Sequence, residues 1–133
     1  MKIAVIGASN DRFKYGNIIV RDLISCGHDV YPVNPHESLI ENLKCYKTIS
    51  DLPEGINLLN FVVPPKITLQ VVKNAVELGY KFFWFQPGSE NPEADFILKE
   101  YKDAIAIHSC VLVDKVRLKK LEEEHRNDKQ NMI

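Results

Sequence analysis

The segment that most restricts what this chain can fold into is "KIAVIG", Lys2 to Gly7, a short β-branched apolar run ending in glycine. An unbroken apolar run of this kind suits a strand buried on both faces of a parallel sheet, where water reaches neither side. Parallel strands cannot be joined by a tight turn, so a crossover must follow. The next residues supply one. Ile18, Ile19, Leu23 and Ile24 recur at helical spacing between Tyr15 and Gly27, and Gly27 can end the helix in the left-handed region. "HDVYPVNP" returns as a second strand, stopped at Pro35 because proline has no amide to continue a ladder.

The alternation continues downstream. "NLLNFVV", Asn57 to Val63, reads as a buried strand, followed by a helix from about Ile67 to Leu78 that closes at Gly79. "KFFWFQ", Lys81 to Gln86, is a further strand, and Pro92 opens a helix to about Tyr101. "AIAIHS" forms a last strand, and a charged helix starts near Asp114. Between His36 and Pro53 breakers interrupt every period, so this stretch reads as irregular, with a short strand near Cys45 and Tyr46 and one helical turn around Ile49 to Leu52. The whole predicts an α/β architecture: a single Rossmann-like, doubly wound domain with a mostly parallel sheet and helices on both faces.

Composition narrows the function classes. At 133 residues and 45% hydrophobic content there is material for one core. Seventeen Lys and Arg against 18 Asp and Glu leave a formal charge of -1, which argues against nucleic-acid and membrane-surface partners. No apolar leader or membrane-length run is present in the sequence, so a cytoplasmic location is expected. Cys26, Cys45 and Cys110 are odd in number and widely spaced, which fits reduced thiols and no metal site.

Sheets of this class bind ligands at the carboxyl ends of the strands, where strand order reverses. Four loops leave that edge: "GASNDRFKYGN", "NPHES", "PPK" and "QPGSEN". In the first, Gly7 permits close approach of backbone to ligand, and the amides entering the helix at Tyr15, Gly16 and Asn17 form an anion-binding terminus. Ser9, Asn10 and Lys14 could add contacts to a phosphate. A plain strand-to-helix turn would look the same. The dinucleotide fingerprint is not met, because Ser9 and Arg12 stand where its second and third glycines belong. The second strand ends in Asn34, Pro35 and His36, without the acid that binds an adenosine ribose. A neutral tip beside a histidine tolerates an extra phosphate, which favours coenzyme A or NADP over NAD. "VVPP" could wall an adenine or simply start a helix, and Gln86 in "WFQPG" offers an amide at a strand tip or belongs to a turn.

Taken in order, "VIGAS", "VYPVNP", "VVPP", "WFQPG" and "HSC" resemble the small coenzyme A-binding protein family with a Rossmann-type fold, related to the N-terminal domain of the succinyl-CoA synthetase alpha subunit. The resemblance covers about residues 1–113 and leaves 114–133 as a charged helical tail. It implies a nucleotide ligand, coenzyme A or an acyl-CoA. The phosphates would lie over Gly7, Ala8, Ser9, Asn10, Lys14, Tyr15, Gly16 and Asn17. Val33, Asn34, Pro35 and His36 would flank the nucleotide, Val63, Pro64 and Pro65 would lie near the adenine, and Phe85, Gln86 and Pro87 would bound the other side. Many relatives carry lysine where this chain has His36.

No sequence motif links a nucleophile to a base, so the chain reads as a coenzyme A-binding module without catalytic machinery of its own. Two alternatives stand beside it. One is an NADP- or other nucleotide-dependent enzyme. The other is a thiol redox sensor in which Cys110, two residues from His108 at the end of the last strand, pairs with a bound coenzyme A thiol. A small buried cysteine is the plainer reading of Cys110. In the tail, Val116, Leu118 and Leu121 could pack on a second copy or on an unidentified protein partner, or the helix could simply be solvated.

Overall fold

The computed structural model describes residues 1–131, with side chains through 127. Its elements are β1 (Lys2–Ile6), α1 (Tyr15–Ser25), β2 (Asp29–Val33), β3 (Leu39–Ile40), β4 (Leu43–Lys44), β5 (Leu58–Phe61), α2 (Pro65–Glu77), β6 (Phe82–Phe85), α3 (Pro92–Lys99), β7 (Ile105–His108) and α4 (Lys115–Asn131), with a 3-10 turn at Ile49–Asp51. Five strands form one parallel sheet in the order β2-β1-β5-β6-β7. The chain therefore leaves β1 toward one side and later crosses to the other, so strand order reverses between β1 and β5.

Successive strand residues face opposite layers, and the core divides accordingly. Ile3, Val5, Leu58 and Trp84 pack with Ile19, Val20 and Leu23 of α1 and with Leu118 and Leu121 of α4. Ala4, Ile6, Leu59, Phe61, Phe83 and Phe85 pack on the other face with Val72 and Ala75 of α2 and Ala94 and Leu98 of α3. The charged terminal helix is thus seated on the α1 face by its few leucines. Its Val116, by contrast, is 81% exposed, and Leu118 and Leu121, which could have packed on a second subunit, are buried in this chain's own core.

Three local expectations are corrected. Residues 39–44 form a β-hairpin, β3 and β4, whose turn residues Glu41 and Asn42 have φ of 48° and 65°. Two left-handed central residues make the primed turn that matches strand twist, and two-residue strands are too short to show a period. The strand expected near Cys45 and Tyr46 reduces to a single parallel bridge between Val33 and Tyr46. Helix α2 starts at Pro65 rather than Ile67, because proline at the first helical position loses an amide that has no intrahelical partner anyway.

Candidate functional site

The carboxyl ends of β1 and β5 meet through glycine. Gly7 has φ of 95°, and a Cβ there would lie 2.1 Å from the Val62 carbonyl oxygen and 2.7 Å from Val63 Cγ1. Gly16, in the first turn of α1, closes the other side: its Cβ would lie 2.1 Å from the Gly7 carbonyl oxygen. Loop 7–14 is therefore pressed between the β5 tip and the start of α1, with backbone on both sides. The amides of Tyr15 and Gly16 belong to the first turn and have no intrahelical acceptor, so they are left to an external one.

Asparagines hold the loop in place. Fully buried Asn17 donates from Nδ2 to the Ser9 carbonyl at 2.9 Å, while its Oδ1 accepts from Arg21 Nε at 2.7 Å. Arg21 reaches on to the Arg12 carbonyl at 2.9 Å. Asn34 at the β2 tip donates to the Ala8 carbonyl at 2.8 Å, and its Oδ1 accepts the His36 amide at 2.8 Å. Ser9 Oγ accepts the Asp11 amide at 3.0 Å. Asn10 Nδ2 donates to Glu37 Oε2 at 2.7 Å and to the Leu39 carbonyl at 3.0 Å. Lys14 caps α1 with its carbonyl, accepting from the Asn17 and Ile18 amides, and its ammonium has no ion-pair partner among the described residues.

The predicted residues thus divide by role. Asn10, Lys14, Tyr15, Pro35, His36, Pro64, Pro65 and Pro87 are exposed along the edge, with Ser9, Asn34 and Val63 half-buried. Ala8, Gly16, Asn17, Val33, Phe85 and Gln86 are buried. Phe85 is in the core, its ring centroid 4.9 Å from that of Phe61 and 5.4 Å from that of His108. Gln86 does not offer its amide to the edge: Oε1 accepts the Val111 amide at 2.9 Å and Nε2 donates to Cys110 Sγ at 3.5 Å. His108 turns to α3, with Nε2 2.9 Å from Asp95 Oδ1, while half-buried Cys110 meets the Gln86 amide.

Sequence reading passed over several residues that shape the edge. Buried Ser89 accepts the Val63 amide at 3.0 Å through Oγ and so braces the β5 tip against the loop after β6. Asn91 caps α3 and donates to the Pro65 carbonyl at 2.9 Å. Arg21 and Glu37 pin loop 7–14. Asn60 is 0% exposed, paired in register with Val5 and Trp84, and neither end of its amide has a partner. A polar residue inside the apolar run "NLLNFVV" was the only available sign of it.

One concavity lies at the other edge of the sheet. A cleft of about 500 Å³ opens at the amino edge of the sheet, lined by residues including Ile49, Leu52, Tyr80, Phe82 and His125. The carboxyl edge is instead bounded by the loops that follow β1, β2, β5 and β6.

The sequence profile of the CoA binding domain family matches residues 1–115. This chain belongs to the CoA-binding domain family. Among curated relatives, the chain is 40% identical over 80 residues to the alpha subunit of ADP-forming acetate–CoA ligase II of Pyrococcus furiosus, covering 59% of this chain and 18% of that one. It is 24% identical over 112 residues to the uncharacterized protein YneT of Bacillus subtilis, covering 84% and 83%. Among solved structures, a conserved hypothetical protein of Pyrococcus furiosus superposes with a TM-score of 0.81 at 48% identity, over 85% of this chain and 97% of that one. A dinucleotide-forming acetyl-coenzyme A synthetase 1 of Ca. Korarchaeum cryptofilum superposes at 0.64 and 30% identity, covering 79% of this chain but 25% of the synthetase. The chain thus aligns with most of the length of these two small proteins and with only a fraction of the ligase subunit and the synthetase. Among the described residues no helix is long and apolar enough to cross a membrane, and no cluster of metal-ligating side chains is present.

Proposed function

We propose that this chain binds coenzyme A or an acyl-CoA at the carboxyl edge, over the β1/β5 reversal. The observation that carries this reading is the paired glycine approach at Gly7 and Gly16, which brings the α1 amides and loop 7–14 to one place where any Cβ would intrude. A pyrophosphate there meets Ser9, Asn10, the Tyr15 and Gly16 amides and the unpaired Lys14 ammonium. Adenosine lies between the Val33–His36 tip and Val63–Pro65, with exposed His36 next to the 3′-phosphate, and Pro87 bounds the far side. The ligand supplies a thiol that carries an acyl group; the protein supplies a preset backbone that recognises its anionic end.

The β2 tip supports this ligand over NAD. Both ends of the Asn34 amide are taken, by the Ala8 carbonyl and the His36 amide, so it does not replace the missing ribose carboxylate. Calorimetric titration with coenzyme A, 3′-dephospho-coenzyme A and NADPH tests the proposal. Coenzyme A is expected to bind, the dephospho form more weakly, and NADPH not to displace it. No heat and no thermal shift with coenzyme A up to millimolar concentration would refute it. The acetate–CoA ligase II alpha subunit is named for ligation of acetate, but this chain spans only 18% of it, and no such ligation is proposed here.

A further inference from the structure

Two side-chain donors of loop 7–14 are held by carboxylates of the protein itself. Asn10 Nδ2 donates to Glu37 Oε2 at 2.7 Å, and Arg12 Nη2 lies 3.4 Å from Glu41 Oε1. Both acids come from one short segment between the β2 tip and the β3–β4 turn. Glu41 sits in that turn with φ of 48°, so the hairpin backbone sets its direction. Asn10 and Arg12 are exposed, the two acids half-buried. The remaining side-chain ties end on backbone carbonyls: Asn17, Asn34 and Arg21 donate to the loop's own Ser9, Ala8 and Arg12 carbonyls, and Asn10 donates also to the Leu39 carbonyl.

A carboxylate on an amide or guanidinium donor presents the same chemistry as a phosphate oxygen, with less charge and fewer acceptors. We propose that Glu37 and Glu41 form an internal carboxylate latch, which holds loop 7–14 against the hairpin in the free protein and is displaced by the phosphates of the ligand. The proposal rests on the coenzyme A reading for the identity of that ligand. A diphosphate offers enough oxygens to take both donors at once, whereas a single anionic group frees one donor and leaves a released carboxylate beside it. The latch thus sets both affinity and selectivity: it penalises weakly charged ligands and keeps the loop ordered when no ligand is bound.

The isosteric variants Glu37→Gln and Glu41→Gln, singly and together, test this, with Glu54→Gln at the opposite edge of the sheet as a control for net charge. Two measurements separate the latch from the ligand. Trypsin cuts after Arg12 and Lys14, so its rate on ligand-free protein reports loop opening directly. It is expected to rise in E37Q and E41Q and not in E54Q. Coenzyme A affinity should rise roughly fivefold in the double variant, the worth of about 1 kcal/mol for one exposed ion pair and one exposed hydrogen bond to a carboxylate, and the gain should shrink at high salt. Unchanged cleavage overturns the latch. Faster cleavage with unchanged or weaker coenzyme A binding overturns the displacement of carboxylate by phosphate. If neither wild type nor variants bind coenzyme A, the ligand reading fails, and faster cleavage in the variants still supports the closed loop.

Discussion

Replacing Gly16 by alanine puts the glycine contact under direct strain. The added Cβ would lie 2.1 Å from the Gly7 carbonyl oxygen, 3.2 Å from the Gly7 carbonyl carbon and 3.4 Å from Ala8 Cα, all backbone atoms that no rotamer change can move. Ordinary contact begins near 3.4 Å, so loop and helix must separate by about 3.4 − 2.1 = 1.3 Å. Overpacking of this kind costs about 1–3 kcal/mol, and backbone on both sides places it toward the upper end. Alanine returns less than about 1 kcal/mol through helix propensity, because the site is in the first turn. A net loss of about 2 kcal/mol lowers Tm by roughly 6–12 °C for a chain of this size. The same displacement carries the Tyr15 and Gly16 amides away from a phosphate and removes one or two charge-assisted hydrogen bonds, or roughly ten- to a hundredfold in coenzyme A affinity. Gly27→Ala is the matched control: φ there is 87° and nothing lies within 4 Å of the added Cβ, so it tests backbone strain without a clash and far from the carboxyl edge. Calorimetric titration and thermal melts of the two variants decide the matter. A Gly16→Ala protein with wild-type affinity and wild-type Tm would refute the cradle, and equal loss of affinity in Gly27→Ala would trace the effect to general destabilisation.

Burial holds His28 below its ordinary value of 6.5, and the Met1 ammonium 3.4 Å away adds to this while Glu122 opposes it. The unfolded chain therefore takes up this proton first, so stability present above pH 6.5 is lost as pH falls through the lower folded value. Melts at pH 7.5 and 5.5 should show a shallower decline in His28→Asn, and an identical decline would remove the assignment. Leu118 is 2% exposed, so Leu118→Ala should cost about 2–4 kcal/mol in denaturant titration. Val116→Ala on the solvated side should stay within about 0.5 kcal/mol, and similar losses from both would contradict the seating of α4. Thiol labelling should proceed from exposed Cys26 to half-buried Cys110, with Cys45 last because burial pushes its thiol up. Coenzyme A should slow labelling at Cys110 and not at Cys26; labelling of Cys45 ahead of Cys26 would contradict the burial described.

The sequence by itself determined the layered architecture. Runs such as "KIAVIG" and "KFFWFQ" are apolar on both strand faces, and the helices between them show one apolar stripe each, which leaves a parallel sheet covered on two sides as the way to bury them together. The rule that ligands sit at the carboxyl edge, with glycine at the β1 tip and proline after β2 and β5, also located the edge and most of its exposed residues. Roles within that edge were decided by tertiary structure. Ser9, Asn17, Asn34 and Gln86 all read as polar groups available to a ligand. Folding commits Asn17, Asn34 and Gln86 to carbonyls, amides or side chains from residues as far as 26 positions away, because a buried or half-buried amide must find partners that sequence spacing does not reveal. The β3–β4 hairpin was illegible because two-residue strands carry no period, and with it went Glu37 and Glu41. Leucines at 118 and 121 could not say whether they would meet this chain or another. That answer depends on which sheet face α1 leaves uncovered, a property of strand order and crossover direction that exists only once the five strands are assembled.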